Sequence, residues 1–427
     1  MYVVYNKNLV VTTVSDTRIS QSAQKQREVV GHYQPNKLIG RRLPRELLMM
    51  SDYEHREASE LRIAFVCNWN DQCGISTYSK LLVTAVQPKV SAIRVFSETV
   101  SKTTGSDEDF VERCWQRGES LLDLADRIHK WGPDLVIIQH EFGIFPNAFH
   151  FMQFMEQMQN IPHVVTMHSV YQHLDKVVYT EAMQNIVVHS EAGRECLKNN
   201  GNTARVFVIP HGCIELENTD ELWNICVSPY VVIQFGFGFR YKGVEKALHA
   251  ISHLVKTDSK FKDLYYIYLC SENSFNKQVH DQYYDELRKI CKELDIENNV
   301  CILRKYQTDE MLNLFLRLAK IAIFPYAIDP NNIVFGASGA IRVAMSNRRP
   351  VIASDSHMFD DLEGVVPRPS DYIGLASEID EIFSNSAYRS KILARCADYV
   401  RVNNWDSIAN QYVGLYNRLT TDYSSET

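Results

Sequence analysis

The segment from Asn331 to Asp355 contains a glycine-containing loop that runs into a short helical pattern and then into an apolar strand. The loop reads FGASG over residues 335–339, the helical pattern AIRVAM follows it, and residues 351–353 form the strand. The first backbone N–H groups of a helix have no partner within the helix, and the helix dipole places partial positive charge there. The segment therefore predicts either a phosphate-binding loop or only a capped helix in an α/β domain.

Three residues of this loop suit a ligand. Gly336 and Gly339 lack a Cβ atom, so a ligand can approach the main chain closely. The hydroxyl of Ser338 either caps the helix or donates to a phosphate oxygen. If the loop binds phosphate, we expect Ser338 and Gly339 to contact it.

Length and composition predict a soluble protein with two domains. The chain has 427 residues, of which 45% are hydrophobic and 23% charged, and a net charge of -7 argues against a general polyanion binder. No apolar run approaches the roughly 20 residues that span a bilayer, and the N-terminus lacks the order of a signal peptide. The expected location is therefore cytoplasmic. Buried, reduced cysteines are favoured over disulfides or zinc ligands, because the ten cysteines include no C-x-x-C pair.

The chain divides into a polar extension and two predicted domains. Residues 1–60 show no sustained hydrophobic period. Apolar strands and amphipathic helices then alternate, which predicts α/β architecture with parallel sheets. The polar segment GCIELENTDELWN places a boundary near Asn224, between a first domain at 61–224 and a second at 225–404.

Basic residues are concentrated in the extension. Between Thr17 and Glu46 there are seven Lys or Arg residues and two Glu residues. One interpretation is a solvated extension on the surface. The other is a basic arm at 17–46 that contacts anionic lipid or nucleic acid.

Four predicted strands of the first domain each deliver a histidine at their carboxyl ends. These are His140, followed by Glu141, and then His168, His189 and His211. Open parallel sheets place ligand-contacting residues at this edge. Any single histidine could instead satisfy local backbone groups, but the set together predicts a polar cleft.

The second domain opens with the loop GFGFRYKG between a strand and a helix. Arg240 and Lys242 place two positive charges there, with Gly236, Gly238 and Gly243 around them. A guanidinium forks onto phosphate oxygens and an ammonium acts as a point charge, so the pair suits a pyrophosphate. The alternative is a solvated surface pair.

The order of these features along residues 61–420 resembles a retaining glycosyltransferase of the GT-B fold, family 4 type. CGISTYSKLL resembles the first glycine-rich loop of that family, and IIQHEFGIFP, VVTMHS, IVVHSEAGR and VIPHG resemble its strand-end signatures. FGFGFRYKGVEKALHAI is similar to its donor-phosphate loop. Helix 405–420 resembles the helix that crosses back to the first domain. The implied fold is two Rossmann-like domains with a cleft between them.

The chain departs from the usual family pattern at three positions. The paired glutamates of the family would fall on Phe335 and Val343, and the arginine five residues before the lysine would fall on Phe237. Arg240 is close enough to substitute for that arginine. The chain instead resembles a sub-branch with SG at the phosphate helix and HE(F/Y)GIF in the first domain.

The resemblance implies transfer of a sugar from a UDP- or GDP-type nucleotide diphosphate sugar to an acceptor hydroxyl, with retention at the anomeric carbon. Arg240, Lys242 and the N–H groups at Ser338 and Gly339 would stabilise the leaving diphosphate without a metal ion or other cofactor. The leaving phosphate itself would take the acceptor proton. The remaining implied site residues lie in both domains: Gly74, Gly238 and Tyr326 on the donor, His168 near the donor sugar, and His140 and Glu141 beside the acceptor.

Two other functions stay open from the sequence. The chain could be a catalytically inactive protein that binds a sugar nucleotide or a glycan with the same fold. It could also be a DNA-modifying glycosyltransferase that acts on a hydroxylated base and uses the arm at 17–46. The acidic segment SDEDF at 106–110 is interpreted as a solvated charge run rather than a metal site.

Overall fold

A computed structural model describes residues 3–5, 8–10, 59–173, 183–216, 228–272 and 277–426 of the protein. The chain divides into two compact units, Met1–Glu57 and Ala58–Thr427. In the first unit, strands β1 (Val3–Tyr5) and β2 (Asn8–Val10) pair antiparallel. The basic segment at 17–46 and the predicted boundary near Asn224 lie outside the described residues.

The second unit begins with a parallel sheet of seven strands. Its order is β10-β9-β7-β6-β3-β4-β5, so the order reverses between β3 and β6. Ligands of open α/β sheets bind at such a reversal, outside the carboxyl ends of the strands. The strands of this half, of which β8 lies outside the sheet, are β3 (Ser59–Cys67), β4 (Val90–Glu98), β5 (Val111–Trp115), β6 (Leu135–His140), β7 (His163–Met167), β8 (Ser169–Tyr171), β9 (Asn185–Val188) and β10 (Arg205–Val208).

Amphipathic helices cover both faces of this sheet. In the helix at 122–131, Leu124, Ala125 and Ile128 repeat at helical spacing and are buried against the sheet. This helix ends at Gly132, whose left-handed backbone suits a residue without Cβ. The helices are α1 (Gly74–Val86), α2 (Leu122–Trp131), α3 (Ala148–Gln157) and α4 (Glu191–Asn199).

A second parallel sheet follows, with the order β13-β12-β11-β14-β16 and a reversal between β11 and β14. Its strands read as continuous apolar runs because helices cover both faces. The strands of this half, of which β15 lies outside the sheet, are β11 (Val231–Phe237), β12 (Tyr265–Ser271), β13 (Val300–Leu303), β14 (Ile321–Phe324), β15 (Val334–Gly336) and β16 (Val351–Ala353). The helices are α5 (Val244–Thr257), α6 (Lys277–Glu293), α7 (Asp309–Leu318), α8 (Gly339–Ser346), α9 (Tyr372–Ser384), α10 (Ser386–Val402) and α11 (Trp405–Glu426).

The last helix, α11, returns to the first half. Ile408, Tyr412 and Tyr416 are fully buried in the core that contains Ile63 and Phe65 of β3. Each such side chain stabilises the contact by roughly 1.5–3 kcal/mol through burial. This arrangement confirms the predicted crossover helix. No helix within the described ranges has both the length and the apolar character to cross a bilayer.

A short antiparallel ladder joins the two halves. β15 pairs with β8, with Phe335 opposite Val170 and Gly336 opposite Ser169. A Cβ atom at Gly336 would lie 2.7 Å from the carbonyl oxygen of His168, so the close approach requires glycine. The segment before α8, predicted as a loop, is therefore a strand in part. Its Val-Phe pair suits a strand, and β8 offers it an unpaired backbone edge.

Candidate functional site

Lys242 lies at the reversal point of the second sheet, between the ends of β11 and β14. The segment Arg240–Lys242 forms one 3₁₀ turn, which ends at Gly243 in a left-handed conformation. The Lys242 ammonium donates to the Tyr326 hydroxyl at 2.6 Å and lies 4.1 Å from the centre of the Tyr326 ring. It also lies 4.7 Å from the centre of the Tyr241 ring. A positive charge that is only 9% exposed is thus held between two aromatic faces.

The same tyrosine extends the contact to the phosphate-binding loop. The Tyr326 hydroxyl lies 2.9 Å from the hydroxyl of Ser338, the residue that precedes α8. The Ser338 side chain makes no capping hydrogen bond to α8. The structure therefore brings Lys242, Tyr326, Ser338 and the uncapped start of α8 at Gly339 into one cluster, the lysine cluster.

Gly238 has a packing role in the structure. A Cβ atom there would lie 2.7 Å from the Cys270 sulfur and 3.2 Å from the His280 Nδ1 atom. Its N–H group donates to the carbonyl oxygen of Ser271 at 2.9 Å. Glycine at this position lets the loop lie against the end of β12.

Arg240 points away from the lysine cluster. Its guanidinium is in contact with Glu286 and lies 3.8 Å from Glu245, and its side chain is 64% exposed. It also lies over the Tyr283 ring at 5.5 Å. The structure therefore places Arg240 on the surface beside α6 and does not join it to Lys242.

Three of the strand-end histidines surround Tyr78 of α1. The centres of the His168, His211 and His189 rings lie 4.6, 5.0 and 5.3 Å from the centre of the Tyr78 ring. Trp405 of α11 closes the group at 5.1 Å. Three of the four strand-end histidines therefore lie together within an aromatic cluster, and their part in a polar cleft stays a prediction.

This histidine cluster touches the second half. A Cβ atom at Gly339 would lie 3.2 Å from the Nε2 atom of His211, so that ring lies beside the first residue of α8. The His168 Nε2 atom lies 2.8 Å from the Gln139 Oε1 atom, and His168 directly precedes the ladder that joins the halves. His168 and His211 thus both lie near the start of α8 from the side of the first half.

His140 and Glu141 lie apart from that cluster. The His140 side chain is fully buried between the rings of Phe142, Phe145 and Phe151, and burial lowers its pKa to about 3. The structure does not bring His140 to a surface that an acceptor would reach. Glu141 is half-buried, and burial raises the pKa of its carboxyl group. Of the two, Glu141 is the one at the sheet edge.

Burial keeps His168, His189 and His211 neutral, so we expect the folded protein to lose stability in acid. Desolvation lowers the pKa of His189 to about 4 and the pKa of His168 and His211 well below the ordinary value. Unfolded histidines titrate near about 6.5, so between that pH and the folded pKa only the unfolded state binds the proton. The contribution of these neutral histidines to the free energy of unfolding is therefore fully present above about pH 6.5. It decreases as the pH falls below that value, by up to about 1.4 kcal/mol per pH unit for each histidine.

Urea unfolding at a series of pH values from 7.5 to 5 checks this expectation. The free energy of unfolding should decrease steeply below about pH 6.5. His189→Gln should decrease that slope by up to about 1.4 kcal/mol per pH unit. The same slope in the variant as in the native chain would contradict the assignment of a neutral, buried His189.

Gly74 lies at the reversal point of the first sheet, at the start of α1. No heavy atom lies within 4 Å of a Cβ placed there, so the main chain is open to a ligand.

The SDEDF segment at 106–110 contacts the loop before α1. Asp107 pairs with Arg113 at 2.7 Å, and Glu108 accepts from the Trp69 indole at 2.7 Å. Ser106, Asp107 and Asp109 are exposed, which agrees with the interpretation of the segment as a solvated charge run, although two of its carboxylates also hold this loop.

The sequence interpretation missed Arg342, which lies within the apolar pattern of α8. It is 2% exposed, donates to the Ser338 carbonyl oxygen at 2.8 Å and contacts the Asp361 carboxylate. Burial alone would lower its pKa, but Asp361 and Tyr399 raise the pKa and keep the guanidinium charged. An arginine at a buried helical position was the available signal. Arg342 fixes the start of α8 relative to α10.

Comparison with known proteins supports the fold. No family model matches the chain, and no curated protein matches its sequence. Trehalose-6-phosphate synthase OtsA is similar in structure, with a TM-score of 0.65 at 12% identity over 83% of this chain and 99% of that one. The Burkholderia xenovorans α,α-trehalose-phosphate synthase (UDP-forming), in complex with glucose-6-phosphate, gives 0.64 at 11% identity over 83% and 100%.

A third structure, Anabaena HepE in complex with UDP and glucose, has a TM-score of 0.63 at 14% identity over 84% of this chain and 100% of that one. Each of these matches covers 99–100% of the similar structure. Identities of this size establish architecture and not activity. The chain therefore has the GT-B fold, with two Rossmann-like domains and a C-terminal helix that crosses back to the first.

Proposed function

We propose that the protein is a glycosyltransferase that moves a sugar from a nucleotide diphosphate sugar to an acceptor hydroxyl with retention at the anomeric carbon. The lysine cluster carries this proposal. It combines a buried ammonium group, an oriented hydroxyl and an uncapped helix start at the reversal point of the second sheet. These groups suit a diphosphate whose negative charge develops as the sugar leaves.

The placement of each group supports its proposed role. Lys242 stabilises the leaving diphosphate, and the N–H groups at the start of α8 bind it together with Ser338. Arg240 adds positive charge to the same loop, although it pairs with Glu286 and Glu245. His168 and Glu141 approach from the first half, near the donor sugar and the acceptor, and Gly74 leaves its loop open to either ligand.

The similar structures support a UDP-sugar as the first donor to test, since HepE is in complex with UDP and glucose. We propose that the leaving phosphate takes the acceptor proton, which makes a side-chain base unnecessary. The positive groups of the site would also replace a metal ion.

Release of nucleoside diphosphate tests the proposal. The purified full chain is incubated with UDP-, GDP- and ADP-sugars and candidate acceptors, first with a chelator and then with Mg²⁺. We expect release from one donor in the presence of the chelator. Binding of one donor without release or transfer would favour the sugar-nucleotide-binding alternative, and release only with Mg²⁺ would contradict metal independence.

A further inference from the structure

We propose that Tyr326 is a positioning residue that turns the hydroxyl proton of Ser338 toward the anion bound at the start of α8. The inference rests on the proposed function, because we take that anion to be the diphosphate of the nucleotide sugar. Tyr326 itself need not touch the diphosphate. It would act through the direction of the hydrogen bonds in the lysine cluster.

The hydrogen bond between Lys242 and Tyr326 has only one possible direction. An ammonium group has only donors, so the Tyr326 oxygen accepts at 2.6 Å. Burial raises the pKa of Tyr326 to about 12, so the phenol keeps its own proton. Because the Tyr326 side chain is 1% exposed, that proton needs an acceptor within the protein.

The hydrogen bond between Tyr326 and Ser338 also has a preferred direction. The two hydroxyl oxygens lie 2.9 Å apart, and either could donate on distance alone. If Ser338 donated, the buried phenol proton would have no acceptor among the described contacts of Tyr326. A buried hydroxyl proton without an acceptor has lost its hydrogen bond to water and gained nothing in return, which destabilises the folded protein. Tyr326 is therefore the donor and Ser338 the acceptor.

Since Ser338 accepts from Tyr326, its own hydroxyl proton is left to donate elsewhere. The Ser338 side chain is 5% exposed. A serine at this position usually accepts a hydrogen bond from a helix N–H group. Ser338 makes no such bond, so the N–H groups at the start of α8 are left for another acceptor. The Ser338 proton and these N–H groups can then converge on one anion. The ammonium at the other end of the chain of hydrogen bonds strengthens the donor character of each hydroxyl.

A purely structural role is the competing explanation. The three groups could only tie the end of β14 to α8. Loss of the Tyr326 hydroxyl would then decrease stability and leave the affinity for a diphosphate unchanged. Affinity and stability must therefore be measured on the same variants.

Tyr326→Phe is the suitable variant. It keeps the ring beneath the Lys242 ammonium and beside Phe359, whose ring centre lies 4.8 Å away. Tyr388→Phe is the matched control, since that hydroxyl donates to Glu378 at 2.7 Å between α10 and α9 of the same half. Affinities for UDP, GDP and ADP are measured by calorimetry, with free uridine, guanosine and adenosine as ligands that lack phosphate.

We expect Tyr326→Phe to weaken binding of the preferred nucleoside diphosphate about tenfold, with little change for its nucleoside. Tyr388→Phe should leave both affinities unchanged. In a double-mutant cycle, Tyr326→Phe should have almost no further effect once Ser338→Ala is present, because its action passes through that hydroxyl. Unchanged diphosphate affinity in Tyr326→Phe, or additive effects of the two substitutions, would overturn the inference alone. If the native chain binds no nucleoside diphosphate, the proposed function fails with it.

Discussion

Replacement of Lys242 by alanine should decrease kcat/KM for transfer by at least about 100-fold. The Lys242 ammonium is held in place by the Tyr326 hydroxyl and by two aromatic rings. A preorganised charge in a poorly solvated site stabilises the developing diphosphate charge at no cost of reorganisation. One such contact commonly contributes about 3 kcal/mol to the transition state.

Two further variants separate charge from packing. Lys242→Met keeps most of the buried aliphatic volume and removes the charge, so it should lose as much activity as Lys242→Ala. Lys246→Ala is the control, because that ammonium belongs to the next turn and donates to the Ser370 carbonyl oxygen. Steady-state kinetics with the preferred donor provide the measurement. Turnover of Lys242→Met near that of the native chain would contradict the role of the charge.

Replacement of Gly243 by alanine should destabilise the protein by about 2–5 kcal/mol. Gly243 adopts a φ of +64°, which costs a residue with Cβ about 1–2 kcal/mol. A Cβ atom there would also collide with the carbonyl oxygen of Pro325 and lie 3.3 Å from the Ala327 nitrogen. This contact joins the end of β14 to the start of α5, directly beside Lys242.

Gly364→Ala is the control for the backbone contribution alone. Gly364 has a φ of +74°, but no heavy atom lies within 4 Å of a Cβ placed there. The free energy of unfolding of Gly364→Ala, measured in urea, should be only about 1–2 kcal/mol lower than that of the native chain. The difference between the two variants then measures the collision at Pro325. Equal losses would show that the close approach of Gly243 to Pro325 is not required.

Local patterns predicted the parts of the fold that depend on nearby residues. The apolar runs of β7, β9 and β16 and the helical period of α11 identify elements without knowledge of their partners. Lys242 and Ser338 were predicted as site residues because each lies beside a helix start in a parallel α/β unit. Strands β4 and β5 were not predicted. In β5 only Trp115 is buried, so that edge strand has no continuous apolar pattern.

Contacts between residues distant in sequence were beyond such patterns. The β8–β15 ladder pairs Phe335 with Val170, and no local signal sets this register. The different positions of His140 and His168 depend on where each strand ends. β6 continues through His140, which keeps that side chain in the sheet, whereas β7 ends one residue before His168. The orientation of Arg240 depends on Glu286 of α6, which the loop sequence does not reveal.

A structure of the protein with the nucleoside diphosphate that binds most tightly tests the central claim most directly. The account predicts a phosphate with oxygens within about 3 Å of the Lys242 ammonium, the Ser338 hydroxyl and the N–H groups at the start of α8. A diphosphate bound away from these groups, for example on the exposed guanidinium of Arg240 alone, would contradict it.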